Sequence, residues 1–562
     1  MEIKTIKAPE FKGMIQAGAQ KLTNNVDLIN ALNVFPVPDG DTGTNMNMTF
    51  TSGNDYLVKS TESHVGRLSA VLAKGLLMGA RGNSGVILSQ IFRGFSKAIE
   101  DEASLDNLLF AKAFIGGVES AYKAVMKPVE GTILTVARES ALAGQAKAEE
   151  TDNIIEVMEA IVATGQEALD STPELLPVLK QVGVVDSGGK GLLTIYEGFL
   201  AYLKGDLTSE DLAQANTSQH AHAVFDEANE NPISMDDITF GYCTEIMVRI
   251  GENPTTNKNF DYEGFRQTLN EMGDSLLVVA DDEIIKVHVH TENPGKVMKL
   301  GQEYGELVKV KVDNMREQVR ELERKEEAMQ STITKMPDLS VLDQKKVALV
   351  AVAAGQGLKD IFQTSGVDYV LEGGQTMNPS TEDFVKAIEQ LNAESILILP
   401  NNKNIIMAAK QACQVIDKPA KVVETTSIPQ GLASLIAFNP EMSLEENQTA
   451  MTEALEAVVS GQITYSIRDT EIDQVSIKKD DFMGIVDGKI KVSTPNLEQT
   501  LLDTMLAMLN DDSEIFTIVI GQDGDEALAH QVADQIMADY EDLEIDFLQG
   551  DQPVYHYMLF VE

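Results

Sequence analysis

Asn33-Val34-Phe35-Pro36-Val37-Pro38-Asp39-Gly40-Asp41-Thr42-Gly43-Thr44-Asn45-Met46 decides how the first third of the chain is read. Two carboxylates, Asp39 and Asp41, stand two residues apart, with glycine between them and again just after them. Gly40 and Gly43 permit the sharp backbone turns that would aim both carboxylates into one cavity. Paired hard oxygens followed by hydroxyl and amide side chains suit Mg²⁺, which binds through one or two carboxylates plus substrate phosphates. The stretch therefore predicts a magnesium–nucleotide site.

Competing readings fare worse. An EF-hand needs Glu at its twelfth loop position, and counting from Asp39 that position is Phe50. An aspartyl-phosphate enzyme needs a hydrophobic strand running into the first Asp, but Pro36 and Pro38 interrupt any strand there, and position 43 is Gly. A plain solvated turn would use the same Pro, Asp, Gly and Asn, although the full fourteen-residue stretch is more specific than D-G-D-T-G alone.

The stretch closely resembles the signature of the nucleotide-binding domain of the dihydroxyacetone kinase family, and more narrowly that of the catalytic component of bacterial fatty acid kinase. The resemblance implies that Asp39 and Asp41 hold Mg²⁺ ions bridging the phosphates of ATP. Asn33 stands where the family often has a third Asp, and would be a neutral ligand. Thr42, Thr44 and Asn45 would shape the metal and phosphate shell.

The chain has 562 residues, enough for three or four domains. Its hydrophobic content of 43% allows a large core. No apolar run reaches the roughly 18 residues of a membrane span, and Met1-Glu2-Ile3-Lys4-Thr5 lacks a signal-peptide pattern. Two cysteines argue against a disulfide framework and fit a reducing cytoplasm. With 88 acidic against 44 basic residues the net charge is −44, which disfavours nucleic acid and anionic membrane surfaces as partners. ATP binding against that field calls for local metal ions, in agreement with the Asp pair.

Residues 1–203 carry helical periodicity: Phe11, Ile15, Leu22, Val26 and Ile29; then Val65, Leu68, Leu72 and Leu76; then Ile154, Val157 and Ile161. About eight helices are expected, packed as a barrel-like bundle with the site in the loops at one end. One such loop, Gly79-Ala80-Arg81-Gly82-Asn83-Ser84-Gly85, opens a helix. Its free N–H groups and positive dipole end make a phosphate cradle, and Ser or Asn there also suits an ordinary N-cap. The family has a G-x-S-G loop at the matching place, which implies phosphate contacts from Asn83, Ser84 and Gly85. Thr132, after Glu130-Gly131, reads equally as an N-cap or, by resemblance, a nucleotide contact. Asp186-Ser187-Gly188 resembles the family's late D-P-G loop that closes over the nucleotide, with Ser187 in the place of Pro. Lys190 reads equally as a phosphate contact or a solvated side chain, and no Walker A pattern is present.

Residues 204–237 read as a polar linker; His220 and His222 in it are assigned no role. Residues 238–312 form a small α+β domain. Phe240, Tyr242, Ile246, Val248 and Ile250 alternate with Cys243, Glu245 and Arg249 along one strand, and Ile285, Val287 and Val289 with Lys286, His288 and His290 along another. If those strands are neighbours, Cys243, His288 and His290 make a plausible Zn²⁺ set with an open fourth place; the plain reading is an exposed polar face. The fatty acid kinase resemblance includes a Cys and an H-x-H in the middle domain.

Residues 313–344 read as a connecting helix and a second linker. From 345 to 562, strands Val347–Val352, Val367–Leu371, Ser395–Leu399 and Lys421–Val423 alternate with helices, which implies a parallel sheet. Gly355-Gln356-Gly357 lacks the third glycine of a dinucleotide fingerprint. Cys413 reads as core. Thr376-Met377-Asn378-Pro379-Ser380 resembles the T-S-x-P-S loop of DegV-like fatty-acid-binding proteins, with Met377 replacing Ser. This domain would then be a DegV-like relative retained for docking a separate lipid-binding protein.

The fold class expected is multidomain α and α/β: a helical DhaL-like kinase domain, a small α+β middle domain and a C-terminal DegV-like α/β domain. By resemblance the function is an ATP-dependent kinase acting on the carboxylate of a fatty acid presented by a DegV-like binding protein, giving acyl phosphate for phospholipid synthesis. Two alternatives stay open: a dihydroxyacetone-type small polyol kinase, and a non-catalytic nucleotide-binding scaffold or sensor. The family forms dimers, although no self-association motif is legible in this chain.

Overall fold

A computed structural model describes residues 2–33, 40–125, 127–207, 240–256, 258, 260–280, 284–316, 344–374, 377–466, 469–472, 475–510, 513–540 and 542–561. Asp39 lies outside the described residues, as do most of both expected linkers, His220, His222 and Thr376. The chain divides into two units. One joins Met1–Leu212 to Gln344–Glu562, and the other is Ala213–Asp343.

The N-terminal segment holds ten helices among its described residues: α1 Ala8–Thr23, α2 Val26–Leu32, α3 Thr42–Lys59, α4 Val65–Met78, α5 Gly82–Ala98, α6 Asn107–Ala124, α7 Ile133–Ala148, α8 Ile154–Leu175, α9 Pro177–Val182 and α10 Ser187–Lys204. About eight were expected. The two beyond that number, α2 and α9, have seven and six residues, too few to show a period. The pattern Phe11 to Ile29, read as one amphipathic helix, is two. The Asn25 side chain donates to the carbonyl of Lys21 (2.7 Å), which ends α1, and α2 restarts at Val26.

Aromatic rings fill the bundle. Phe50 meets Phe92 at 5.3 Å, Phe95 meets Phe114 at 5.4 Å, and Phe114 meets Tyr196 at 5.2 Å, all edge to face. Each such buried side chain contributes about 1.5–3 kcal/mol. Helices α5 and α6 cross closely at Gly94 and Gly116; a Cβ on Gly94 would stand 2.1 Å from the Gly116 carbonyl oxygen.

In the C-terminal segment, β5 Lys345–Ala353, β6 Tyr369–Glu372, β7 Ala393–Leu399 and β8 Ala420–Val422 form a parallel sheet in the order β6-β5-β7-β8. The parallel sheet expected from strand–helix alternation is present. Six further strands form a mixed sheet, with Tyr557–Val561 between Val459–Tyr465 and Ile515–Ile520. Along β5 the side chains part to opposite faces. Val347, Leu349 and Ala351 join a core shared with the second sheet, while Ala348, Val350 and Val352 join another. That second core includes Phe384 and Ala408 from the covering helices Thr381–Glu389 and Ile406–Val415, and also Ala80 and Val86 from the helical bundle. Cys413 packs against it at the edge and remains partly accessible; burial raises its thiol to about 11.

In the other unit, β1 Tyr242–Ile250, β2 Gly273–Ala280, β3 Ile284–Thr291 and β4 Gly305–Asn314 form an antiparallel sheet in the order β2-β3-β1-β4. Ile246, Val248, Ile285, Val287 and Val289 face a core with Phe265, Leu269 and Val297 from its helices.

Candidate functional site

Four helix starts converge at one end of the bundle. Those of α3 and α5 are tied through Thr49: its hydroxyl accepts from the Arg81 N–H (3.2 Å) and donates to the Asn45 carbonyl (2.7 Å). The start of α10 meets α3 where Gly191 lies against Met46; a Cβ there would stand 2.5 Å from the Met46 sulfur. The starts of α7 and α10 meet through Asp186, which accepts from the backbone N–H of both Gly189 and Ile133. Each start presents the positive end of a helix dipole, so their convergence favours an anion.

Asp41 precedes α3, yet its carboxylate makes no capping bond to that helix. It accepts instead from Asn378 Nδ2 of the C-terminal segment (2.5 Å) and is also hydrogen-bonded by the Asn45 side chain. Burial raises its pKa, and those two hydrogen bonds offset the shift in part. A half-buried acid not spent on its own helix is available to a cation.

The other sequence-predicted residues are placed as follows. Thr44 accepts from Asn30 Nδ2 (3.0 Å), and its N–H donates to Asn30 Oδ1 (3.1 Å), so Asn30 clamps the first turn of α3, where Thr42 is the first residue. Asn33 ends α2, its N–H donating to the Asn30 carbonyl (3.1 Å). Ser84 and Gly85 lie in the first turn of α5, with Gly85 packed on Thr49. Asn83 donates to Asn404 Oδ1 of the C-terminal segment (3.2 Å). Thr132 caps α7, accepting from Leu134 N–H (3.4 Å) and donating to the Val129 carbonyl (2.7 Å). Ser187 and Gly188 open α10 beneath the Asp186 cap. Lys190 lies 3.8 Å from Glu197.

Sequence reasoning missed Asn30, Arg81 and Asn378. Arg81 Nη1 donates to the Asn378 carbonyl (2.9 Å) and lies 3.4 Å from Asp383. Asn378 belongs to a loop singled out by pattern, but no sequence signal ties it to an acid 337 positions away.

In the other unit, β1 and β3 are neighbours, pairing Cys243 with His290 and Glu245 with His288. The sulfur of Cys243 and one nitrogen from each of His288 and His290 all lie within 4.8 Å of one another. Cys243 Sγ stands 3.8 Å from His288 Nδ1, Glu245 lies 3.6 Å from His288 Nδ1, and Asp274 lies 3.6 Å from His290 Nδ1. Burial pushes His288 down to about 4, helped by the neighbouring His290, and burial also lowers His290. Both imidazoles are then neutral at pH 7, the form that ligates a metal. A thiol and two imidazoles are donor types that suit zinc.

The described fold is a multidomain α and α/β protein whose helical segment carries the DAK2 domain, matched over residues 36–201. The FakA-like middle-domain and C-terminal family models, both of fatty acid kinase, match residues 239–322 and 348–562. The chain belongs to this FakA-like fatty acid kinase family. It is 50% identical over 560 residues to uncharacterized proteins of Staphylococcus aureus strains MRSA252 and USA300, covering 100% of both chains in each case. Among solved structures it is similar to the DegV family protein Cg2579 from Corynebacterium glutamicum, with 16% identity, 39% of this chain, 97% of that one and a TM-score of 0.31. It is also similar to the dihydroxyacetone kinase from C. freundii in complex with AMP-PNP and Mg²⁺, with 19% identity, 34% of this chain, 33% of that one and a TM-score of 0.28. Among the described residues no helix is long and apolar enough to cross a membrane.

Proposed function

We propose that the protein is an ATP-dependent kinase that phosphorylates the carboxylate of a fatty acid carried by a separate DegV-like binding protein. Family membership supports the substrate. The observation that carries the site is the Asp41 carboxylate, half-buried among converging helix starts and not used as a cap. An acyl carboxylate oxygen attacks the γ-phosphorus, the bond from that phosphorus to the ADP oxygen breaks, and ADP leaves as acyl phosphate forms. The protein's share is positioning and charge neutralisation.

Asp41, with Asn45 beside it and Asp39 and Asn33 from the sequence motif, would hold Mg²⁺. The ion supplies neutralisation of phosphate charge. The α5 start, with Ser84 and the Arg81 guanidinium nearby, binds and orients phosphate oxygens. The Asp186 cap holds the starts of α7 and α10 together at the same end of the bundle. In the middle unit, Cys243, His288 and His290 would hold Zn²⁺. The three-residue donor set and the neutral imidazoles fit that ion.

Trapping with hydroxylamine tests the reading. Full-length protein, ATP, Mg²⁺ and an oleate-loaded DegV-like partner should yield acyl hydroxamate. Phosphorylation of dihydroxyacetone with no hydroxamate would replace the substrate assignment, and ATP binding without turnover of any acceptor would leave only a scaffold.

A further inference from the structure

We propose that Asn378 is the part of the metal–phosphate site that the C-terminal segment supplies. Its Nδ2 positions the Asp41 carboxylate, and its Oδ1 accepts a hydrogen bond from a water on the hydrated cation. The inference rests on the magnesium–nucleotide reading of the Asp41 site and adds a second segment of the chain to it.

Asn378 is 3% exposed. An ionised Asp41 can only accept, so the amide nitrogen of Asn378 must face it, and the observed contacts of Nδ2 are Asp41 Oδ2 at 2.5 Å and Asn45 Oδ1 at 3.4 Å. The same planar group carries Oδ1, which is buried and has no hydrogen-bond donor among the described residues. Buried polar atoms are satisfied in the great majority of cases, and one that is not asks for a ligand. Mg²⁺ dehydrates reluctantly and keeps several waters, so its surroundings need acceptors for water protons. A carboxamide oxygen beside a carboxylate meets that need.

The loop that carries Asn378 is held firmly. Its carbonyl accepts from Arg81, Thr381 N–H donates to the Ala80 carbonyl (3.1 Å), and Ser380 forms a capping box with Asp383. Further along, Gln411 Nε2 donates to the Leu77 carbonyl (2.9 Å), and Gln411 Oε1 accepts from Gln90 (3.1 Å). Ala80 and Val86 are buried in the core of the parallel sheet. An interface with both an apolar core and satisfied polar groups holds a side chain in register, as an oriented outer ligand requires.

The test is Mg²⁺-dependent binding of the ATP analogue AMP-PNP to the full-length chain, followed by calorimetry. Asn378→Ala should raise the Mg²⁺ concentration for half-maximal binding roughly tenfold, the range seen when an outer-shell partner of a metal is removed. Asn378→Asp, which keeps an oxygen but sets a second carboxylate against Asp41, should retain binding and make the melting temperature depend more steeply on Mg²⁺ than in the unaltered chain. This second variant decides the matter if the alanine form does not fold. Unchanged Mg²⁺ dependence in Asn378→Ala overturns the inference while sparing the nucleotide reading. Tighter binding overturns it too, because the loop would then be a plug. An unaltered chain with no Mg²⁺-dependent nucleotide binding takes down both.

Discussion

Asp186 joins two helices, for its carboxylate caps α10 through Gly189 and also accepts from the first N–H of α7, that of Ile133. The cost of that position is desolvation, which lifts the carboxyl from 3.8 to about 6 and outweighs both hydrogen bonds. The folded chain therefore holds the Asp186 proton more tightly than the unfolded chain does. Stability from this group is complete below about pH 4 and is lost as pH rises through about 6. Asp186→Asn, which keeps a capping side chain, should flatten the fall in melting temperature between pH 5 and 7.5. Scans above pH 5 stay clear of the sequence pI of 4.4. An equally steep fall in the variant would show that another group sets it.

Replacing Asp41 separates function from stability. Asp41→Asn removes the charge but keeps the shape, and should lower phosphoryl transfer by at least roughly a hundredfold, the scale of a lost electrostatic partner. Because burial disfavours the ionised form, the melting temperature should hold or rise. Asp39→Ala should likewise abolish transfer with the fold intact. Wild-type turnover in both variants would remove the acid pair from the mechanism.

Gly85 is a packing requirement at the α3–α5 junction. A Cβ there would stand 2.3 Å from Thr49 Oγ1, the hydroxyl that ties Arg81 to Asn45. Gly85→Ala should destabilise the fold by about 1–3 kcal/mol through overpacking and weaken nucleotide binding. Thermal melts and AMP-PNP titration read both effects. An alanine variant as stable as the parent would mean Thr49 yields without cost.

Elemental analysis of purified protein should find about one zinc per chain, held by three protein ligands with an open fourth place. Cys243→Ser should release most of it, and His290→Ala likewise. Metal-free parent protein that still gains no zinc on addition would leave the trio as a buried polar face.

Much of the fold was legible where one periodicity ran long enough. The apolar spacing of Val65 to Leu76 and of Ile154 to Ile161 lies within α4 and α8, and Val347–Val352 lies within the first parallel strand. Short helices escaped notice because six or seven residues make fewer than two turns. Alternation put Cys243 and the His288–His290 pair each on one strand face, but only strand register could set them together. Asn378 was illegible as a site residue for a stronger reason. Its partner Asp41 is distant in sequence, and local pattern carries nothing about that pairing.

The burial of Ala80 and Val86 against residues of the parallel sheet has a consequence for how the molecule is made. Val86 leaves the ribosome roughly 260 residues ahead of Val350, on the order of ten to fifty seconds at ordinary rates of synthesis. During that interval the start of α5 is a greasy, unfinished surface, and Asp41 lacks the Asn378 carboxamide. Messages cut short before the parallel sheet would thus yield chains that leave Ala80 and Val86 uncovered and are prone to clump.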